Sequence, residues 1–550
     1  MEEILSNNPG KKMILLGNEA IIRGALESGV NFVSTYPGTP ASEIGDIFYK
    51  IAKDAGVYFE FSTNEKVAME AGIGASFSGL KTLVAMKNFG LNVALDALFP
   101  FVYTGSKGPT VIIVADDPSC HSSAQSEENS RGLALSTYIP VLEPSDPQEC
   151  KDFVKLGYQI SEKFKIPVMI RTTTRVAHQK SEVVLGKIEK SNTKAEFIKN
   201  RNQFVTLPPR VLEMKSELLE KIKRIQEFSE KSYINEEQKI ENSKQKIGII
   251  TSGVSHLYIM ESLEEMKLDL PVLKLGFFHP LPVNKIKNFL KPLKKVLVVE
   301  ELEPFLEKEI TEIAKNANCK IQIFGKSLLP EVGELKPEFV IQAVAKITGK
   351  KYNLQSKILN PKSFKRFPQL CPGCPYWFVI SAINKAVDAK KVVFGGEIGC
   401  YMLFGNPPIN LQDYLSCMGS SVGIAHGIKK ATGNKQKLIT FVGDSSFFHS
   451  GIPPLINAVV NKSNPLVIIL NNETTAMTGH QPHPVSVGMN NGINIENLVR
   501  ACGVKYVKTI DQIKQEEFVG VVKEFLNKDE VSVIVAKHPC KFVAPKQNGK

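Results

Sequence analysis

Residues 438–484 read LITFVGDSSFFHSGIPPLINAVVNKSNPLVIILNNETTAMTGHQPHP. Leu438–Val442 is continuously apolar, as a strand buried on both faces is. Gly443-Asp444-Ser445 breaks the run. Pro453 and Pro454 fall where a helix tolerates proline, in its first turn. Leu455, Ala458 and Val459 lie at i, i+3 and i+4, one apolar helical stripe. Leu466–Leu470 is a second apolar run, ending at Asn471-Asn472. The pattern predicts a βαβ unit with Asp444 at the carboxyl end of one strand and an Asn at the carboxyl end of the next. Parallel strands deliver both side chains to the same sheet edge, where open α/β sheets bind ligands. An acidic oxygen, an amide oxygen and backbone carbonyls suit Mg²⁺, which is commonly held by few protein ligands plus phosphate oxygens. Taken singly, Asp444 also reads as a helix cap and the Asn pair as a turn.

The chain around this stretch has 550 residues, enough for two to four domains. Its apolar fraction of 43% and charged fraction of 23% are those of a globular protein. No apolar run reaches the roughly 20 residues that span a bilayer. The N-terminus, MEEILSNNPGKK, carries acids and no apolar core, so a secretory signal is not expected and a cytoplasmic location is. The net charge of +12 gathers after residue 180 and at the C-terminus, mostly as solvated lysines. No aromatic-interleaved basic motif points to nucleic acid. The nine cysteines do not suggest disulfides in that compartment.

Residues 12–175 alternate strand and helix patterns. Val30–Thr35, Val57–Phe61, Thr82–Met86, Thr110–Ala115 and Ile166–Ile170 read as buried strands, which predicts a doubly wound parallel sheet. The turn Tyr36-Pro37-Gly38-Thr39-Pro40 is stiff and non-helical. Ser62-Thr63-Asn64-Glu65 opens a small-residue helix, where Glu65 is well placed for the helix dipole. Residues 176–245 are rich in Lys and Glu and read as a charged linker with a surface helix near Val211–Glu227. Residues 246–350 form a further α/β unit with strands at Lys246–Thr251, Val272–Leu275 and Val296–Glu300. There, His279 before a proline reads as a turn residue. Residues 360–545 hold the opening stretch, preceded by FPQLCPGCPYW, FGGEIGC and SCMGSSVGIAHGI. Glycine and serine in the last of these permit close backbone approach to a ligand.

Cys371-Pro-Gly-Cys374 is a C-x-x-C, open to redox, zinc or cluster chemistry. Cys400 follows a short strand and a glycine-rich turn, and Cys540 follows the last strand, Val531–Lys537. In a parallel sheet both strand ends share the edge that carries Asp444 and Asn472. Four thiolates suit a [4Fe–4S] cluster or structural Zn²⁺.

The spacing from Gly443-Asp444-Ser445 to Asn471-Asn472 resembles the diphosphate-binding motif of thiamine-diphosphate enzymes. YPGTP, NEKVAMEAGIGAS, KNFGLN and ADDPSCHSSAQSEENSR resemble the pyrimidine-binding domain of the 2-oxoacid:ferredoxin oxidoreductases, most closely the indolepyruvate-type alpha subunit. The resemblance spans about residues 12–545. It implies a multidomain α/β fold: a pyrimidine-binding domain (1–175), the charged helical linker (176–245), a transketolase C-terminal-like domain (246–350) and a diphosphate-binding domain (360–550). It implies that Glu65 bonds the aminopyrimidine N1′ nitrogen. It implies that Asp444, Asn472 and the carbonyl of Thr474 hold Mg²⁺, with Met418, Gly419, Gly443 and Ser445 against the cofactor. It implies that Cys371, Cys374, Cys400 and Cys540 hold one proximal [4Fe–4S] cluster. Thr39 is expected to meet the substrate carbonyl and Arg131 its carboxylate, for which a guanidinium is shaped.

The activity implied is oxidative decarboxylation of a 2-oxoacid, an aryl pyruvate such as indolepyruvate, to acyl-coenzyme A with electrons passed to ferredoxin. A smaller beta subunit is the implied partner. The resemblance also leads one to expect a ferredoxin-like segment with two more cysteine motifs, and none follows Cys540 in these 550 residues. A non-oxidative thiamine-diphosphate decarboxylase and a non-catalytic scaffold are the alternatives. The four cysteines weigh against the first, and Glu65, Asp444 and Asn472 against the second.

Overall fold

A computed structural model describes residues 2–190, 193–238, 246–351, 367–486 and 493–543. The chain forms two compact units, residues 1–359 and 360–550. The boundary expected between 350 and 360 lies outside the described residues.

The first unit is built on a seven-stranded sheet in the order Phe277–His279, Val141–Leu142, Val168–Thr173, Thr110–Asp116, Thr82–Lys87, Phe32–Thr35, Tyr58–Phe61. All neighbours are parallel except Phe277–His279, which pairs antiparallel with Val141–Leu142. The central strands Thr82–Lys87, Thr110–Asp116 and Val168–Thr173 are buried along their whole length, which is why they read as unbroken apolar runs. A five-stranded sheet follows, with Gln322–Phe324, Lys295–Val299, Ile247–Ser252 and Val272–Leu275 parallel and Asn235–Gln238 antiparallel at one edge.

The expected linker at 176–245 is corrected by these pairings. Lys180–Val184 pairs antiparallel with Lys12–Leu16, and Asn235–Gln238 closes the five-stranded sheet. Between them the helix Arg210–Glu230 buries Met214, Leu218 and Ile225 against the unit and leaves its charges outward. Phe228 at its end meets Phe164 and Phe277 edge-on, at centroid distances of 5.8 and 6.3 Å. The span is therefore an integral part of the first unit. One strand from beyond residue 246, Phe277–His279, also crosses into the seven-stranded sheet, so the expected domains at 1–175 and 246–350 share a sheet.

The second unit is a six-stranded, all-parallel sheet in the order Tyr414–Leu415, Val393–Gly396, Leu438–Gly443, Leu466–Asn471, Ser532–Lys537, Tyr506–Asp511. Gly443 stands beside Leu470, and Asn471 beside Lys537, so three strands end at one level. Ile452–Val460 is the crossover helix of the opening stretch, with its prolines in the first turn. Among the described residues no helix is long and apolar enough to cross a membrane.

Candidate active site

The second unit gathers its chemistry at the carboxyl ends of the strands. Asp444 is the first helical residue after Leu438–Gly443 and is buried. Its Oδ1 accepts from the Ser445 N–H at 2.8 Å, and its Oδ2 from the N–H groups of Asn472 (3.1 Å) and Glu473 (2.8 Å). The carboxylate thus fastens the loop after the next strand to its own. Asn472 Oδ1 turns back to accept from Thr474 N–H at 3.1 Å, an Asx turn that holds this loop. Oδ1, with a single donor, keeps a further lone pair. The donor set of one carboxylate, one amide oxygen and one carbonyl fits Mg²⁺ in kind.

Gly419, on the Met418-Gly419 turn, is fixed by its backbone. It has φ +74°, and a Cβ there would stand 2.5 Å from the Ser450 carbonyl carbon. Its N–H donates to Glu397 Oε2 and the Gly443 N–H to Glu397 Oε1, both at 3.2 Å. Tyr401 also donates its hydroxyl to Glu397. Glu397 is fully buried, and burial pushes its carboxyl up to about 7 against these hydrogen bonds. One side chain therefore ties together the loops at 397–401, 417–419 and 443–445.

The four cysteines converge on the same edge. The Cys371-Pro-Gly-Cys374 turn is closed by a Cys374 N–H to Cys371 carbonyl bond at 3.0 Å, and Lys541 donates to the Pro372 carbonyl. The N–H of His538 donates to the Asn471 carbonyl and that of Cys540 to the Asn472 carbonyl, both at 3.0 Å. Burial, then the neighbouring Cys374, Cys540 and Cys371 and the Asp444 carboxylate, push the Cys400 thiol up to about 12. Tyr376 feels Asp444, Cys400, Cys374 and Cys540 in the same way, after burial itself. Thiols this close disfavour one another's ionisation until a cation joins them. Among the described residues no three His, Cys, Asp or Glu side chains are disposed as ligands of a metal ion. Four thiols are, in kind, the donor set of an iron–sulfur cluster.

In the first unit Glu65 opens the helix Glu65–Phe77, beyond the N-cap Asn64, whose side chain accepts from Val67 N–H at 2.8 Å. Glu65 is 6% exposed. It lies against Gly90, where a Cβ would stand 2.5 Å from Glu65 Cγ. Gly38 of the YPGTP turn packs on Lys87, and Thr39 Oγ1 lies 3.4 Å from Ser42 Oγ. Thr39 and Glu65 follow the carboxyl ends of the neighbouring parallel strands Phe32–Thr35 and Tyr58–Phe61.

Two family profiles match the chain. "Pyruvate flavodoxin/ferredoxin oxidoreductase, thiamine diP-bdg" covers residues 23–247, and "Thiamine pyrophosphate enzyme, C-terminal TPP binding domain" covers 397–536. Indolepyruvate oxidoreductase subunit IorA of Methanothermobacter marburgensis is 42% identical over 98% of this chain and 88% of its own length. The subunit IorA of Pyrococcus horikoshii is 40% identical over 98% and 87%. The chain belongs to the indolepyruvate oxidoreductase subunit IorA family. It is an oxidoreductase subunit with two thiamine-diphosphate-binding domains. A solved 2-oxoglutarate:ferredoxin oxidoreductase from Magnetococcus marinus shares the fold, with a TM-score of 0.50 at 18% identity over 61% of this chain and 65% of that one.

One residue expected in the IorA-family site is placed elsewhere. Arg131 is 2% exposed. Its Nε and Nη2 donate to the two oxygens of Glu143 at 2.7 and 2.5 Å, and its Nη1 to Glu300 Oε2 at 2.6 Å. Burial works to raise the Glu143 carboxyl, but Arg131 and Arg171 overcome it and bring it down to about 2. Arg131 is thus committed to a buried ion-pair network between the two sheets of the first unit, and its role as a substrate-carboxylate partner is withdrawn. His279 is also structural in setting: burial lowers its imidazole to about 4.

Sequence reasoning assigned no role to Glu397, Gly90 or His483. Glu397 directly follows the strand Val393–Gly396 within FGGEIGC, which was a usable signal for an edge residue. Gly90 lies in the KNFGLN motif, but its need for glycine comes from Glu65 across the fold.

Proposed function

We propose that this chain is the catalytic alpha subunit of an enzyme that oxidatively decarboxylates an aryl pyruvate, indolepyruvate in the first instance, to its acyl-coenzyme A. One [4Fe–4S] cluster would supply the outlet for electrons toward ferredoxin. The observation that carries this reading is the seam in the second unit: Cys540 and Asn472 bond backbone to backbone, so a thiol ligand and a diphosphate loop share one edge. The names and coverage of the relatives support the choice of indolepyruvate.

Thiamine diphosphate supplies, when bound, the carbon nucleophile and the electron sink. Glu65 accepts a hydrogen bond from the aminopyrimidine and fixes its tautomer. Asp444, Asn472 and the Thr474 carbonyl would hold Mg²⁺, and Met418, Gly419, Gly443 and Ser445 would bind the cofactor. Thr39 meets the substrate carbonyl. Cys371, Cys374, Cys400 and Cys540 hold the cluster. In this reading residues 1–175 bind the pyrimidine and 360–550 the diphosphate, and a smaller beta subunit completes the enzyme in the cytoplasm.

The test is anaerobic co-purification with the beta subunit, then coenzyme A-dependent dye reduction with indolepyruvate, phenylpyruvate and branched-chain 2-oxoacids. Brown, iron-containing protein that favours the aryl substrates is the expected result. Colourless protein that still releases CO₂ would point to the non-oxidative decarboxylase.

A further inference from the structure

His483 has no role in the reading above. It lies on the segment after the Asn471-Asn472 turn, is 7% exposed, and its own N–H is fixed by Ser486 Oγ at 2.8 Å. Phe448 packs beside the ring, at a centroid distance of 6.5 Å. Nε2 faces Asp444 Oδ2 at 3.3 Å, too far out of line for a hydrogen bond. That oxygen already accepts from two N–H groups, those of Asn472 and Glu473. Among the described residues neither ring nitrogen of His483 has a hydrogen-bond partner.

A buried imidazole with both nitrogens unsatisfied is costly, and such groups are few in folded proteins. Among the described residues the ring thus faces the Asp444 carboxylate but makes no hydrogen bond. A partner must approach the Asp444 edge, accept from an imidazole N–H, and tolerate an adjacent carboxylate. A free anion is repelled by Asp444; an anion that arrives with a divalent cation is not.

We propose that His483 is a ligand-contacting residue that donates from its ring to an oxygen of the metal-bound diphosphate. This deepens the diphosphate reading of the Asp444 edge and rests on it.

The experiment uses the full chain and measures binding rather than turnover. Wild type, His483→Phe and His483→Gln are titrated calorimetrically with thiamine diphosphate in Mg²⁺, and their unfolding is followed with and without it. Phe keeps the ring and removes both nitrogens; Gln restores a donor near the Nε2 position. His483→Phe should bind at least ~10-fold more weakly, the loss of one hydrogen bond to a charged group. His483→Gln should recover part of that. Ligand-free His483→Phe should unfold no earlier than wild type, because a buried unsatisfied group has been removed. Its ligand-induced stabilisation should shrink.

Wild-type affinity in His483→Phe overturns the inference and leaves the diphosphate reading standing. So does early unfolding of ligand-free His483→Phe with affinity kept, which marks a structural residue. If His483→Phe does not fold, His483→Gln decides through the same two readouts. A wild-type chain that binds no thiamine diphosphate sinks the reading of the edge itself, and the inference with it.

Discussion

Gly90→Ala tests the assignment of Glu65 without touching Glu65. An alanine Cβ at this position would stand 2.5 Å from Glu65 Cγ, 2.8 Å from Oε1 and 2.9 Å from Cδ. Carbon atoms at optimal contact sit about 3.5–4.0 Å apart, so the two groups must separate by about 1 Å. Gly90 lies in the helix Asn88–Thr104, where alanine gains about 1 kcal/mol over glycine in propensity. Overpacking costs about 1–3 kcal/mol if Glu65 stays where it is. The net is then a loss of about 0–2 kcal/mol. If Glu65 swings aside instead, stability holds or rises slightly. In either case the carboxylate is displaced from the place where Asn64 and the helix start put it.

A lost hydrogen bond of a charged group corresponds to about 1.5–3 kcal/mol, roughly 10- to 100-fold in turnover. The assay is dye reduction by the complex with its smaller subunit, alongside thermal unfolding and thiamine diphosphate binding. Glu65→Gln is the control: turnover should be almost abolished with the cofactor still bound. Glu65→Ala with Gly90→Ala should recover the stability lost in Gly90→Ala, a non-additivity that neighbours in contact show. Gly90→Ala with turnover and affinity within twofold of wild type would refute the reasoning.

Arg131→Met should cost the first unit about 3–5 kcal/mol, because Glu143 and Glu300 are left buried without their shared cation. Thermal unfolding measures this; a raised KM for the 2-oxoacid at unchanged stability would return Arg131 to the substrate. Glu301 is buried, and burial raises its carboxyl from 4.5 to about 7. The folded chain then holds a proton that the unfolded chain has released, so its stabilising contribution is full below pH 4.5 and is lost as pH rises through about 7. Glu301→Gln keeps an acceptor for the Leu335 N–H and should flatten that part of a stability-against-pH curve, gaining most above pH 7; an unchanged slope contradicts the assignment. Cys400→Ser should leave the fold and thiamine diphosphate binding intact but lose iron and visible absorbance in anaerobic preparations, since a cluster site needs its thiolates. Full iron content in that variant removes Cys400 from the ligand set.

The parts of the fold that were legible in the sequence are those whose cause is local. Leu438–Gly443 and Leu466–Asn471 announce themselves because strands buried on both faces must be apolar throughout, and the break at Gly443-Asp444 marks where they leave the sheet. That Asp444 and Asn472 stand at neighbouring strand ends was legible from the same breaks. Val141–Leu142 and Phe277–His279 were hidden because strands so short owe their existence to the sheet neighbours they pair with. Lys180–Val184 and Asn235–Gln238 were hidden by their charge: as edge strands they expose most side chains and show no buried run. The pairing of Arg131 was hidden because Glu300 is remote in sequence and no spacing rule joins it to Glu143. His483 carries no signal at all until Asp444 is seen beside it.

The topology of the second unit explains why Asp444, Asn472 and Cys540 meet at one edge. The last strand, Ser532–Lys537, does not extend the sheet; it inserts between Leu466–Asn471 and Tyr506–Asp511. The chain leaving it must therefore run alongside the loop that follows Asn471. The two backbone bonds, from His538 N–H and Cys540 N–H to the carbonyls of Asn471 and Asn472, continue the strand pairing past its regular end. Each contributes only about 1 kcal/mol net, but neither loop can shift without breaking them. Asp444 holds the same loop from the other side through the N–H groups of Asn472 and Glu473. The loop that carries Asn472 and Thr474 is thus clamped between the carboxylate on one flank and the cysteine on the other. A change that loosens Cys540 should reach the diphosphate site through this loop before it disturbs the sheet beneath.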